Sequence, residues 1–258
     1  MGHAMALAAV AIVVLMLITW TISILIKNAS IVDIVWGLGF VVVAWTVALG
    51  TDHGDTKRRW LLVAMTTVWG LRLAIYLFLR NHGNGEDYRY RAMRRHFGDK
   101  FGLISLYSVF GLQGLLMFVV SLPVQLGQAV RTPKVGIIAF IGVGVYLIGL
   151  FFEGVGDYQL ARFKRDDANK GKVMNLGLWR YTRHPNYFGD ACVWWGIGIV
   201  AAETGAGAWG LIGSAVMTFL LRRVSGVTML EKTIGKRRQG YDEYIRTTSP
   251  FVPRPPKP

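Results

Sequence analysis

A single cysteine, Cys192, leaves the chain without any intrachain disulfide and excludes a metal centre built from several thiolates. Histidine is nearly as sparse. The five histidines stand at positions 3, 53, 82, 96 and 184, and none lies four residues from another, the spacing that sets two imidazoles on one helical face. No metal is expected. Charge is scarce too: Asp, Glu, Lys and Arg make up 17% of the 258 residues, against 53% hydrophobic, which departs from the average soluble domain. Low-complexity blocks, internal repeats and a separate soluble domain are all missing.

What is present is a series of apolar runs. A helix rises about 1.5 Å per residue, so about 20 apolar residues cross the roughly 30 Å of bilayer hydrocarbon. Seven runs meet or approach this length: Met5 to Ile26, Ile31 to Gly50, Trp60 to Leu79, Ser105 to Leu122, Val135 to Phe152, Tyr187 to Ala202 and Gly207 to Leu221. The first lacks the basic start of a secretory signal and is followed after four residues by another run, so it reads as a retained helix. The expected fold class is all-α: a polytopic membrane protein with a seven-helix transmembrane bundle and long cytosolic loops, to which the resemblance given below adds cofactor binding. One integral-membrane domain is expected over residues 1–258; the family resemblance given below implies its division into helices one to four (1–130) as a substrate-cavity half and 131–258 as a cofactor-binding half.

Acidic residues number 15 against 29 Lys and Arg, a net charge of +14. Where the cations fall decides what they mean. If the spans alternate sides, 23 of the 29 lie after spans one, three, five and seven. The positive-inside rule then places that face in the cytosol, with the N-terminus outside and the C-terminus inside. Basic character of this kind calls for no nucleic acid.

The stretch from Gly177 to Gly198, "GLWRYTRHPNYFGDACVWWGIG", begins polar and basic and ends apolar. Arg180, Arg183 and His184 precede a helix whose free N–H groups and positive dipole end favour an anion. Tyr181 and Tyr187 suit hydrogen bonding or stacking, Asn186 can donate and accept, and Asp190 lies one turn further along. Arginine and tyrosine beside a span also suit plain headgroup anchoring. A second basic cluster follows in the tail, with Glu231, Lys232, Lys236, Arg237, Arg238, Tyr241, Tyr244 and Arg246; a polybasic segment held to anionic lipid is the competing reading there. Upstream, Asp157, Leu160 and Lys164 share one face of a helix expected to project from the membrane.

"GLWRYTRHPNYFGD", the upstream "EGVGDYQLARFK" and the tail "YDEYIRTTSPFVP" together resemble the C-terminal region of membrane steroid 5α-reductases and sterol reductases, and most nearly their bacterial relatives. The resemblance covers roughly residues 150 to 255, and "SIVDIVWGLGF" and "WGLRLAIYLFLRNHGNGEDYRY" extend it loosely toward the N-terminus. It implies a reductase of the bacterial inner membrane that holds NADPH between its cytosolic loops and takes a hydrophobic enone or related alkene from the bilayer. Carried over by position, Asp157, Lys164, Asn186, Asp190 and Tyr244 match cofactor contacts, and Arg180 and Arg183 match phosphate partners. Tyr181, His184, Tyr187, Glu231, Lys232 and Tyr241 complete the expected cofactor set.

Asp33 and Arg72 fall inside spans, where a charge facing lipid costs about 2.5 to 3.5 kcal/mol on insertion scales, so both should face inward. A pair or water-linked network between them fits their depths. The family's carbonyl-polarising glutamate on helix two has its counterpart near Asp33. Trp69 stands where the family has a tyrosine, which leaves Tyr76, Tyr88 and Tyr107 as candidate donors. Glu86, Asp87, Arg89 and Tyr90 form a further polar cluster, for which solvated loop charge is the plain explanation. The expected catalytic set is Asp33, Arg72, Tyr76, Glu86 and Tyr88.

Two other classes fit parts of the pattern. "RHPNYFG" and "MLEKTIGK" are similar to segments of isoprenylcysteine carboxyl and phospholipid methyltransferases, which use S-adenosylmethionine. That cofactor carries no phosphate and gives little reason for so many cations. A non-enzymatic lipid-binding or transport protein is the third class; the absence of an inverted repeat counts against it.

Overall fold

Long apolar runs without interior proline should form uninterrupted helices, since in hydrocarbon every backbone N–H and C=O must be paired within the segment. The computed structural model describes residues 1–51, 56–130, 135–224, 227, 231 and 240–257, and no strand occurs among them. The helices are α1 (Gly2–Leu25), α2 (Ile31–Gly50), α3 (Thr56–Asn81), α4 (Tyr88–Phe97), α5 (Phe101–Ser105), α6 (Leu112–Val120), α7 (Leu122–Ala129), α8 (Ile137–Arg165), α9 (Pro185–Ala202), α10 (Leu211–Phe219) and α11 (Tyr241–Thr247). A π-helical stretch, Leu106–Gly111, joins α5 to α6.

Among the described residues, five helical segments are long and apolar enough to cross a membrane: α1, α2, α3, the run Tyr88–Val120 and α8. The sixth and seventh expected spans fall on shorter or more polar elements. α9 opens with Asn186, Tyr187 and Asp190, and α10 is nine residues long before the chain passes into a π-helical turn at Leu220–Val224.

The described residues form two compact units, Met1–Ala139 with Ile197–Gly213, and Phe140–Gly196 with Ser214–Pro258. In the first, α2 and α3 approach closely at two glycines. A Cβ on Gly37 would lie 2.5 Å from the Gly70 carbonyl oxygen, so only hydrogen fits between the backbones. Such small-residue contacts replace the hydrophobic drive that helices lose in lipid. Phe40 and Trp69, both fully buried, meet edge to face at 5.5 Å beside this seam. At one end of the unit, Glu203 accepts backbone N–H bonds from Gly136 and Ala139 at the start of α8 and pairs with the buried Arg58 at 2.8 Å. The carboxylate thus answers both the free amides of a helix N-terminus and a cation that is 1% exposed.

In the second unit the α8 and α9 backbones come together through Gly149, Gly189 and Gly196. A Cβ on Gly149 would stand 2.5 Å from the Val193 nitrogen, and one on Gly196 2.6 Å from the Gly142 oxygen. The seam carries three acids, Glu153, Asp157 and Asp190, each less than 8% exposed. Beyond α9, the tail returns: Arg183 N–H donates to Ser249 O, Arg254 N–H to Tyr181 O, and the Tyr244 hydroxyl to the Trp179 carbonyl.

Candidate functional site

Around the start of α2 the chain makes a short turn in which Lys27 adopts a left-handed conformation, φ 52°, unusual for a residue with a side chain. The segment before α4 clasps this turn. Glu86 accepts the Ala29 N–H at 2.8 Å, and the Asp87 N–H donates to Ser30 Oγ at 2.6 Å. Asp87 also caps α4 by accepting from the Arg89 N–H. The first turn of α4 is thereby brought over the first turn of α2, where Arg89 Nη2 and the Tyr90 hydroxyl each donate to the Asp33 carboxylate at 2.9 Å.

This differs from the sequence expectation. The partners of Asp33 are Arg89 and Tyr90 rather than Arg72, which stands half-buried on α3. Of the tyrosines considered as donors, Tyr88 is 59% and Tyr107 65% exposed, and Tyr76 lies beneath Arg80 at 5.9 Å. Tyr90, 6% exposed, is the phenol on Asp33. Its signal was in the sequence: Tyr90, Arg94 and Phe97 share one face of "YRYRAMRRHF" by helical spacing. Glu86 is engaged bidentately by Arg94 at 2.8 and 3.0 Å and serves as the clasp. Burial works to raise its carboxyl, but the hydrogen bonds from Arg94 and Ala29 and the arginine charge hold it below the ordinary carboxylate range.

In the second unit the expected cofactor residues separate into three groups. Arg183 is a fastener. Its Nε and Nη2 hold Glu231 at 2.8 and 3.2 Å, and its Nη1 donates to the carbonyls of Ile245 and Thr248, both at 2.8 Å. His184 Nε2 also reaches Glu231, at 3.1 Å, and its ring stacks on Tyr187 at 5.5 Å. Four of the Arg183 donors are engaged this way, by Glu231 and by the tail carbonyls. The second group is the buried seam, where Asn186 Nδ2 donates to Asp157 Oδ1 at 3.1 Å, one turn before Asp190. The pairing of Asp157 with Asn186 brings together two residues read as cofactor contacts from sequence.

The third group lines a cavity of about 1030 Å³ bounded by Lys170, Lys172, Asn175, Arg180, Glu243 and Tyr244. Neither Lys170 nor Arg180 has an ion-pair partner among the described residues. Lys170 and Lys172 escaped the sequence reading because loop cations carry no periodicity. Tyr241 and Tyr244 are buried, with rings 5.9 Å apart, while Tyr181 is 44% exposed and Lys164 lies exposed at the outer end of α8. Lys232, Lys236, Arg237 and Arg238 fall outside the described residues.

Glu231 sets a pH dependence. Burial acts to raise its carboxyl, yet the hydrogen bonds from His184 and Arg183 and the Arg183 charge keep it below its ordinary value of 4.5. A depressed folded-state pKa contributes stability that is present above the unfolded value and lost as pH falls through the folded one. The apparent melting temperature in detergent should therefore hold steady above about pH 5 and fall below about pH 4.5. Glu231→Gln should flatten part of that fall, Glu86 and Asp87 being lowered in the same sense; an unchanged slope would detach Glu231 from it.

Among the described residues the chain is all-helical, with five segments long and apolar enough to cross a bilayer and buried charged clusters at helix ends, the make-up of a multi-pass membrane protein. It belongs to the family described as "Protein of unknown function (DUF1295)", which matches residues 19–248. It is similar to "Uncharacterized protein C594.04c" of Schizosaccharomyces pombe (strain 972 / ATCC 24843), at 24% identity over 217 residues covering 72% of this chain. The chain spans 62% of that relative's length. No solved structure gives a significant match.

Proposed function

We propose that this chain is an NADPH-dependent membrane reductase of the steroid 5α-reductase type, acting on an activated C=C bond of a hydrophobic substrate such as a 3-oxo-Δ4 steroid or related lipid enone. In this reading it has seven spans, cytosolic cofactor loops, an extracytosolic N-terminus and a place in the bacterial inner membrane. The observation that carries it is the cationic cavity of the second unit. Its volume of about 1030 Å³ lies at the upper end of small-molecule sites, which run from about 300 to 1,000 Å³, and suits an extended dinucleotide. Lys170, Lys172 and Arg180 supply the charge that pyrophosphate and ribose phosphate require, and Asn175, Thr247 and Thr248 supply neutral polar groups.

NADPH, when bound, supplies a hydride to the β-carbon of the enone. The chain's own part is to stabilise charge where it develops. Within the first unit, Tyr90 is the group proposed to meet the carbonyl oxygen, on which negative charge grows as the alkene π electrons shift toward it; its single O–H, donated to Asp33 in the structure, turns to the substrate oxygen in that step. The α-carbon then takes a proton from water, the enolate electron pair forming the new C–H bond as the carbonyl is restored, which gives the saturated ketone and leaves hydroxide for the solvent to neutralise. Arg89 keeps the Asp33 carboxylate oriented through the second oxygen.

One observation favours a second reading. Arg183 and His184, the "RH" of the segment shared with the methyltransferases, are bound to Glu231 and the tail instead of lying open to a phosphate. The test is a thermal-shift titration of detergent-purified protein with NADPH, NADH and S-adenosylmethionine. A ligand at 100 times its dissociation constant stabilises by about 2.7 kcal/mol. NADPH should raise the melting temperature more than NADH, and Lys170→Gln with Arg180→Gln should together weaken NADPH about 100-fold or more, each charge-assisted hydrogen bond contributing roughly 1.5 to 3 kcal/mol. Stabilisation by S-adenosylmethionine alone would replace the reductase reading with the methyltransferase one.

A further inference from the structure

Helix α4 has two unlike faces. Tyr90, Met93, Arg94 and Phe97 turn inward, where Tyr90 and its neighbour Arg89 hold Asp33 and Arg94 holds Glu86. Arg91, Ala92, Arg95 and His96 are exposed on the other side. Neither Arg91 nor Arg95 has an ion-pair partner among the described residues. The same ends of α1, α3 and α5 add exposed Lys27, Arg80 and Lys100, with Asp99 the one exposed acid between α4 and α5. Immediately past these cations, exposure becomes apolar: Leu25 is 76%, Leu79 70%, Leu103 68% and Tyr107 65% exposed. A ring of cations beside an exposed apolar band, with Tyr107 in that band, has the layout of a headgroup-level surface.

We infer that the outer face of α4 docks on anionic phospholipid headgroups through Arg91 and Arg95, flanked by Lys27, Arg80 and Lys100. Charge complementarity selects the partner, since juxtamembrane Lys and Arg are attracted to phosphate-bearing anionic lipid and indifferent to a zwitterionic surface. Because the opposite face of this ten-residue helix carries the partners of Asp33, bilayer charge steadies the arrangement of Asp33, Arg89 and Tyr90. The inference does not depend on the identity of the cofactor.

The test is amide hydrogen exchange of the full chain in nanodiscs of pure phosphatidylcholine and in nanodiscs with 30% phosphatidylglycerol, a fraction of roughly the anionic content that gives a substantial surface potential. Amides of Asp87–Phe97 should exchange about tenfold more slowly in the anionic discs, and added salt should shrink the difference. Arg91→Gln with Arg95→Gln should abolish the difference while leaving exchange in neutral discs unchanged. Arg91→Lys with Arg95→Lys should preserve it, as should Lys57→Gln, which alters an exposed cation at the other end of α3. Equal exchange in both discs for the unaltered chain, or a lipid response that survives in the double glutamine variant, would overturn the inference.

Discussion

Replacing Arg183 with alanine is expected to lower stability by about 3 kcal/mol or more, the loss seen when one partner of a buried ion pair is removed. Arg183 is 7% exposed, and its departure leaves the Glu231 carboxylate without its main cation and the carbonyls of Ile245 and Thr248 without donors. For a chain of this size each kcal/mol shifts the melting temperature by about 2 to 4 °C, so a fall of about 10 °C follows. Lysine should rescue little, because its point charge cannot hold a carboxylate bidentately and reach two carbonyls at once. The paired change Arg183→Met with Glu231→Met should cost less than Arg183→Ala alone, the buried carboxylate being removed with its partner. A melting temperature within 2 °C of the unaltered protein for Arg183→Ala, less than about 1 kcal/mol, would mean that the tail is held by other contacts.

The second large effect concerns turnover. On the reductase reading, Tyr90→Phe and Asp33→Asn should each reduce NADPH oxidation, measured with a 3-oxo-Δ4 steroid or another lipid enone as acceptor, by about 100-fold, the low end of the loss when a donor to a developing oxyanion is removed. The NADPH-induced rise in melting temperature should persist in both variants, since neither residue lines the cationic cavity. Tyr76→Phe and Tyr88→Phe provide the contrast and should leave turnover nearly intact, one ring lying under Arg80 and the other open to the surroundings. Should Tyr88→Phe abolish turnover while Tyr90→Phe spares it, the donor has been misassigned.

Those two expectations rest on contacts of different legibility. The long helices could be read from run length, because a bilayer fixes how many apolar residues a span needs: α1, α2, α3 and α8 fall on the expected runs. Asp157 and Asn186 were also legible, lying where a projecting helix and a proline-started helix would meet, and they share a hydrogen bond. The partners of Asp33 were harder. Arg89 and Tyr90 lie more than 50 residues away in sequence, and only the folding of the Glu86 segment over the α1–α2 turn brings them near. Depth along the spans pointed to Arg72 because depth is what hydropathy records; it is blind to a short helix folding back across a helix end. The Glu231 partner of Arg183 was hidden for a related reason. A cation before a helix start resembles an anion receptor until a distant carboxylate, here Glu231, is known to occupy it.

The glycine seam between α8 and α9 has a consequence for what change the protein tolerates. With Gly149, Gly189 and Gly196 admitting no larger side chain, the two helices cannot rotate past one another to accommodate a substitution. The acids embedded along them are therefore placed by backbone geometry in addition to side-chain partners such as the Asn186 bond to Asp157. Retuning this region, whether by selection or by engineering, is confined to exchanging functional groups at Glu153, Asp157, Asn186 and Asp190 on an inflexible frame.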